Sequence, residues 1–166
     1  MYKTILFPTD FSIGSLNIVR SVMQSMDSKE KCRIILVHGY RPSVSISDLL
    51  FTSNATRVRE LSGNTFEAAC EVIQTTFESS IADIRTELFI GFTQNAFNNF
   101  LEANKVSEIY LPQAHVLELP HKCSFDVVPY IRKSGLVVNE VPWNAGVHMP
   151  EKGMVAELFN DRMVLQ

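Results

Sequence analysis

Asp10 stands where a short apolar run, Lys3 to Phe7, gives way through Pro8 and Thr9 to a helical pattern that opens after Ser12. A carboxylate at such a turn can accept hydrogen bonds from a bound ligand, or it can satisfy the free backbone N–H groups of the turn and first helical residues. Thr9 and Ser12 have the same two roles open to them, and the structural one is the expectation for all three. Cys123, flanked by His121 and Lys122 close to a helix start, has surroundings that would stabilise a thiolate and make a redox-sensing cysteine. Against this, Pro129 fits the first turn of a helix capped by Asp126 better than the interior of one capped by Ser124, which leaves Cys123 in a loop as an inert thiol. His115, His121 and Cys123 match no common zinc spacing and suggest no fourth ligand, so no metal site is expected. The chain has no G-x-S-x-G elbow to present a nucleophile, and no G-x-G-x-x-G or Walker loop to cradle a dinucleotide or triphosphate. No catalytic residue is assigned, and the chain is expected not to be an enzyme.

These residues must be positioned by a chain of 166 residues, enough for one compact domain. With 46% hydrophobic, 20% charged and 10% aromatic residues it has the composition of a soluble globular protein, which excludes intrinsic disorder. Fifteen Lys and Arg against 18 Asp and Glu give a net charge of -3, so no basic field exists to gather nucleic acid. The three cysteines, Cys32, Cys70 and Cys123, are an odd number without CxxC spacing, which suits reduced thiols in the cytoplasm. Neither a signal peptide nor an apolar run approaching the roughly 20 residues of a membrane span is present, so no membrane partner is expected.

Lys3–Phe7 reads as a strand buried on both faces and stopped by Pro8, and Ile13, Leu16, Val19, Met23 and Met26 give a helix capped by Ser12. Arg33–His38 is a second buried strand, followed by a Ser-rich loop from Arg41 to Ala55. Phe66, Cys70, Ile73, Phe77 and Ile81 follow helical spacing, predicting a helix over at least Thr65–Ser80, with a start before Gly63 left open. Ile84–Ile90 is a third strand closed by Gly91, Thr93 caps a helix bearing Phe97, Phe100 and Leu101, and Glu108–Leu111 is a fourth strand ended by Pro112. A loop from Gln113 to Lys122, a helix containing Val127, Val128 and Ile131, and a fifth strand, Leu136–Val138, complete the pattern.

Strands alternating with helices predict an α/β, doubly wound, five-stranded parallel sheet with helices on both faces, because parallel neighbours need crossover connections. Ligands of such sheets lie outside the carboxyl ends of the strands. That rim gathers Pro8–Ser12, His38–Tyr40, Gly91–Thr93 and Pro112–Ser124.

The opening KTILFPTDFS, ILVH at Ile35–His38, ELFIG at Glu87–Gly91, and EIYLP followed by KCSFDVVPYIRKSGLVV resemble the universal stress protein family over Lys3 to Pro142. The resemblance implies strand order 3-2-1-4-5 in a cytoplasmic protein that forms a homodimer through its last strand. Many members bind ATP with an acidic residue at the end of the first strand and a stretch Gly-x2-Gly-x9-Gly-Ser/Thr after the fourth. Asp10 lies at the acidic position and Ser124 keeps the motif's hydroxyl, but no glycine occurs from Phe92 through Ser134. Glycine lets backbone N–H groups curl round a phosphate, whereas Pro112 and Pro120 remove donors and stiffen the turn. The expectation is therefore a stress-response or interaction domain without a cofactor, in which Asp10, Val37, Gly39 and Ser124 mark a vestigial nucleotide cleft. The alternative is an ATP or AMP sensor, or a slow nucleotide hydrolase, with a rebuilt loop. Residues 1–142 form the family-like domain. Residues 143–166 form an extension in which Met154, Val155, Leu158 and Phe159 make a helical stripe after Pro150 and Glu151. The stripe is expected to pack on its own domain or to brace the homodimer.

Overall fold

In a computed structural model, which describes residues 2–27, 29–42, 53–113 and 117–142, the apolar runs pair side by side and in the same direction. The strands are β1 (Lys3–Pro8), β2 (Cys32–Tyr40), β3 (Ile81–Phe89), β4 (Glu108–Gln113), β5 (Ser124–Phe125) and β6 (Val137–Pro142). The helices among the described residues are α1 (Ile13–Ser25), α2 (Asn54–Thr76), α3 (Gln94–Ala103) and α4 (Val128–Arg132). The sheet order is β3-β2-β1-β4-β6, with β5 attached to β2. With β6 as the expected fifth long strand, this is the order 3-2-1-4-5.

The strands read as unbroken apolar runs because both sheet faces are covered, with alternate side chains going to opposite sides. Ile5, Phe7, Ile34 and Leu36 pack with Leu16, Val19 and Val22 of α1 and Phe66, Ala69 and Ile73 of α2. Leu6, Ile35, Val37, Ile109 and Leu111 face the other way and pack with Phe97 and Leu101 of α3 and Ile131 of α4. Full burial of one such side chain is worth about 1.5–3 kcal/mol.

The starts of α1 and α3 follow the capping residues seen in the sequence. The Ser12 hydroxyl accepts the Ser15 N–H, and the Thr93 hydroxyl accepts the Ala96 N–H. At α4 the N-cap is Val127 and not the expected Asp126, whose carboxylate accepts the Val128 N–H at 2.9 Å from one residue earlier; Pro129 falls in the first turn and Cys123 lies in the preceding loop.

The limits of several elements differ from expectation. The helix predicted over Thr65–Ser80 belongs to a helical segment that starts at Asn54 and ends at Thr76, and at Gly63, with φ 72° and ψ 169°, two helices meet at a kink. Residues beyond Thr76 turn to start β3 at Ile81, three residues early. Pro112 lies inside β4 rather than ending it. The last β1–β4 pair is Leu6 with Ile109, so at Pro112 the one strand beside it among the described residues is β6, and a missing N–H is tolerated. The last strand is Val137–Pro142, longer than Leu136–Val138. The helical stripe expected in residues 143–166, and most of the loop expected over Arg41–Ala55, lie outside the described residues.

Candidate functional site

β1 ends at Pro8, paired with Val37, whereas β2 continues to Tyr40. Beyond Val37 one edge of β2 holds β3, through Gly39 with Phe89, and the other has been vacated by β1. β5 takes that edge, running antiparallel with Gly39 opposite Phe125 and Tyr40 opposite Ser124. The Arg41 N–H donates to the Cys123 carbonyl at 2.8 Å and extends the pairing by one step. Gly39 is required for this approach: a Cβ there would lie 2.5 Å from the Phe125 carbonyl oxygen and 2.8 Å from its ring and from a Val127 methyl.

The turn after β1 is built from its own polar side chains. Asp10 is 4% exposed. Its Oδ1 accepts the Ser12 N–H at 3.0 Å and the Ser12 hydroxyl, and its Oδ2 accepts the Glu118 N–H at 3.0 Å. One carboxylate thus starts α1 and ties down the segment after β4. Thr9 donates its backbone N–H to the Val37 carbonyl, while its hydroxyl accepts the Phe11 N–H and meets the Ser15 hydroxyl at 2.8 Å. Phe11 takes a left-handed backbone, φ 61°, unusual for a side chain of its size. Its ring packs on His38 at 4.6 Å and Phe66 at 5.4 Å, which holds the conformation in place.

His38 joins the two segments. It is 1% exposed, with Nδ1 2.8 Å from the Thr9 carbonyl oxygen and Nε2 2.7 Å from the Ser124 hydroxyl. A carbonyl only accepts, so Nδ1 carries the proton and the Ser124 hydroxyl donates to Nε2. Burial holds the imidazole pKa below its ordinary value, outweighing the Thr9 carbonyl and the Asp10 charge, which act the other way. The order hydroxyl, imidazole, carbonyl is that of a nucleophile, its base and the group orienting the base. Its evident effect here is to clamp β5 to the ends of β1 and β2.

The four residues expected at a vestigial cleft meet at this rim, and each is engaged by the chain itself. Asp10 holds Ser12 and Glu118, the Val37 carbonyl holds Thr9, Gly39 makes room for Phe125, and Ser124 bonds His38. Cys123 is half-buried, and its N–H donates to His121 Nδ1 at 3.0 Å. His115 is outside the described residues, and among those described no three His, Cys, Asp or Glu side chains gather to hold a metal ion. The sequence places His38 at the rim but assigns it no role; its signal is a single polar side chain closing an otherwise apolar run.

No family model matches the chain, and no curated protein matches it. Among solved structures it is similar to the hypothetical protein PH0823, at TM-score 0.53 and 22% identity over 89% of this chain and 100% of that one. It is also similar to universal stress protein UspA from Lactobacillus plantarum, at 0.51 and 14% over 86% and 98%. A protein of the universal stress protein family from Burkholderia pseudomallei matches at 0.50 and 14%, over 85% and 96%. The fold is that of the universal stress proteins. On the universal stress protein scaffold, β5 occupies the carboxyl-end rim, where ligands of open α/β sheets sit. No helix of the described residues is long and apolar enough to cross a membrane.

Proposed function

We propose that this chain is a non-catalytic, universal stress protein-like interaction domain that holds no ATP in the manner of glycine-rich phosphate loops. The observation that carries this reading is the closure of the rim by the chain's own residues. Both Asp10 oxygens are taken by Ser12 and Glu118, and β5 lies on the edge of β2 under the His38–Ser124 clamp. A nucleoside approaching Asp10 would have to displace hydrogen bonds to a charged acceptor, each worth about 1.5–3 kcal/mol. Calorimetry of the full chain with ATP, ADP and AMP tests the reading. No binding is expected, and a dissociation constant tighter than about 100 µM, more than about 5 kcal/mol, would contradict it and favour the nucleotide sensor.

The domain acts through protein contacts, in the cytoplasm, as a homodimer. Among the described residues β6 is an end strand with β4 as its single neighbour, and Val137 on it is 63% exposed, which suits pairing with a second copy. The mass in solution of the full chain, and of a chain ending at Pro142, checks this. A dimer that falls to monomer on truncation fits a bracing tail, and a dimer unchanged by truncation assigns the contact to β6 alone. A monomeric full chain overturns the proposal of a homodimer.

A further inference from the structure

On the β2–β3 side of the rim, Arg41, Gln94, Phe125, Asp126, Tyr130 and Lys133 line a cleft of about 480 Å³. The Arg41 guanidinium lies 4.0 Å from the centroid of the Phe125 ring and 4.9 Å from that of Phe92, and its Nη2 donates to the Tyr130 hydroxyl at 3.0 Å. The Tyr130 hydroxyl in turn reaches the Phe92 carbonyl at 3.3 Å. Packed rings fix the floor: Phe89 meets Phe97, Phe125 and Tyr130 edge-on, with centroids 4.9, 6.0 and 5.7 Å away. The Gln94 amide is held by Asn98 and the Tyr130 carbonyl.

The charges of this cleft are not balanced within it. No ion pair to Arg41 or Lys133 occurs among the described residues, although Lys3, Lys29, Arg33, Arg85 and Arg132 all have carboxylate partners. The carboxylate on the cleft wall, Asp126, gives Oδ1 to the Val128 N–H. Arg41 Nε is sealed without an acceptor, so the guanidinium forgoes one hydrogen bond to keep its stacked position. Two cations therefore face one cavity in a chain whose net charge is -3. With Arg41 and Lys133 against Asp126 the lining carries a net positive charge, and a concave surface of that kind favours a counter-ion. Beside it, Phe92 is 71% exposed and offers a flat apolar face.

We propose that this cleft binds a small organic anion in which a planar ring bears a carboxylate or phosphate group, the oxyanion between Arg41 and Lys133 and the ring against Phe92 and Tyr130. A stacked arginine suits this task because its planar guanidinium is already fixed by Phe125 and Tyr130 and loses little freedom on binding. The site lies apart from Asp10 and does not depend on whether the β1 rim admits a nucleotide.

The test is nuclear magnetic resonance of the full chain, following the Arg41 Nε–H and the Gln94 side-chain amide. The probes are benzoate, phenyl phosphate, inorganic phosphate and benzyl alcohol. Benzoate, phenyl phosphate or both are expected to shift these signals saturably, with half-saturation at about 1 mM or below. The tighter of the two identifies the oxyanion. Inorganic phosphate and benzyl alcohol, each carrying half of the required chemistry, should bind about tenfold more weakly. Lys133→Ala, a change at the end of α4, should weaken binding about threefold, and Arg41→Lys, which keeps the charge but loses the fork, about tenfold. The proposal is overturned if neither aromatic anion saturates below about 10 mM. It is also overturned if inorganic phosphate binds as well as they do, or if Lys133→Ala changes nothing.

Discussion

The two halves of the sheet rim use polar side chains in opposite ways. Beyond β1, Asp10, Thr9, His38 and Ser124 are buried or half-buried, and the hydrogen bonds they make run to other parts of the same chain. Beyond β2 and β3, Arg41 and Lys133 have no carboxylate partner among the described residues and line a cleft. A buried network whose members satisfy one another rigidifies the chain around it, and it admits a ligand only by breaking bonds already made. A cleft with unbalanced charge has the reverse property, since a ligand supplies what the chain lacks. The universal stress protein scaffold thus supports a closed rim and an open one a few residues apart.

The largest expected effect comes from forcing β5 off its edge. Gly39→Val puts methyl groups where a Cβ alone would already overlap Phe125, and is expected to cost about 3 kcal/mol in denaturant unfolding. Lys133→Ala on the open side should cost less than about 0.5 kcal/mol, and a comparable loss at both sites would erase the distinction between them.

Asp10→Ala removes the acceptor for Ser12 and Glu118 and should cost about 2 kcal/mol. Amide exchange should quicken at Glu118, whereas an unchanged rate there would mean that the carboxylate does not hold that segment.

A smaller effect is expected from acid. Burial holds the His38 pKa below the ordinary value of about 6.5, so on acidification the unfolded state binds a proton before the folded one does. The stability of the neutral form is therefore full above about pH 6.5 and is lost as pH falls towards the folded pKa, by at most about 1.4 kcal/mol per unit. Denaturant midpoints at pH 7 and 5.5 check the sign, and His38→Gln should flatten the difference.

What the sequence made legible is what rests on local rules. Apolar runs such as Ile34–Val37 announce strands covered on both faces, and their spacing by helical patterns implies a parallel sheet. The caps Ser12 and Thr93 could be read directly, as could the argument from Pro129 to Asp126 that removes Cys123 from a helix start. The rest depends on neighbours distant in the chain. β5 is two residues long, too short for any period, and forms because β2 outlasts β1 and leaves an edge to fill. Pro112 continues a strand because β1 is no longer beside it. Gly63 gives a local signal of a helix boundary, but that a second helical piece precedes it, from Asn54, is not legible from the spacing. Arg41 gives no signal in sequence, since Phe92, Phe125 and Tyr130 reach it only after folding.

The central claim is that the chain's own residues fill the rim beyond β1. Titrating the labelled full chain with ATP while following the backbone amides of Ser12, Glu118 and Phe125 tests it most directly. Those three signals should stay in place at millimolar nucleotide, and saturable shifts at all three would contradict the account.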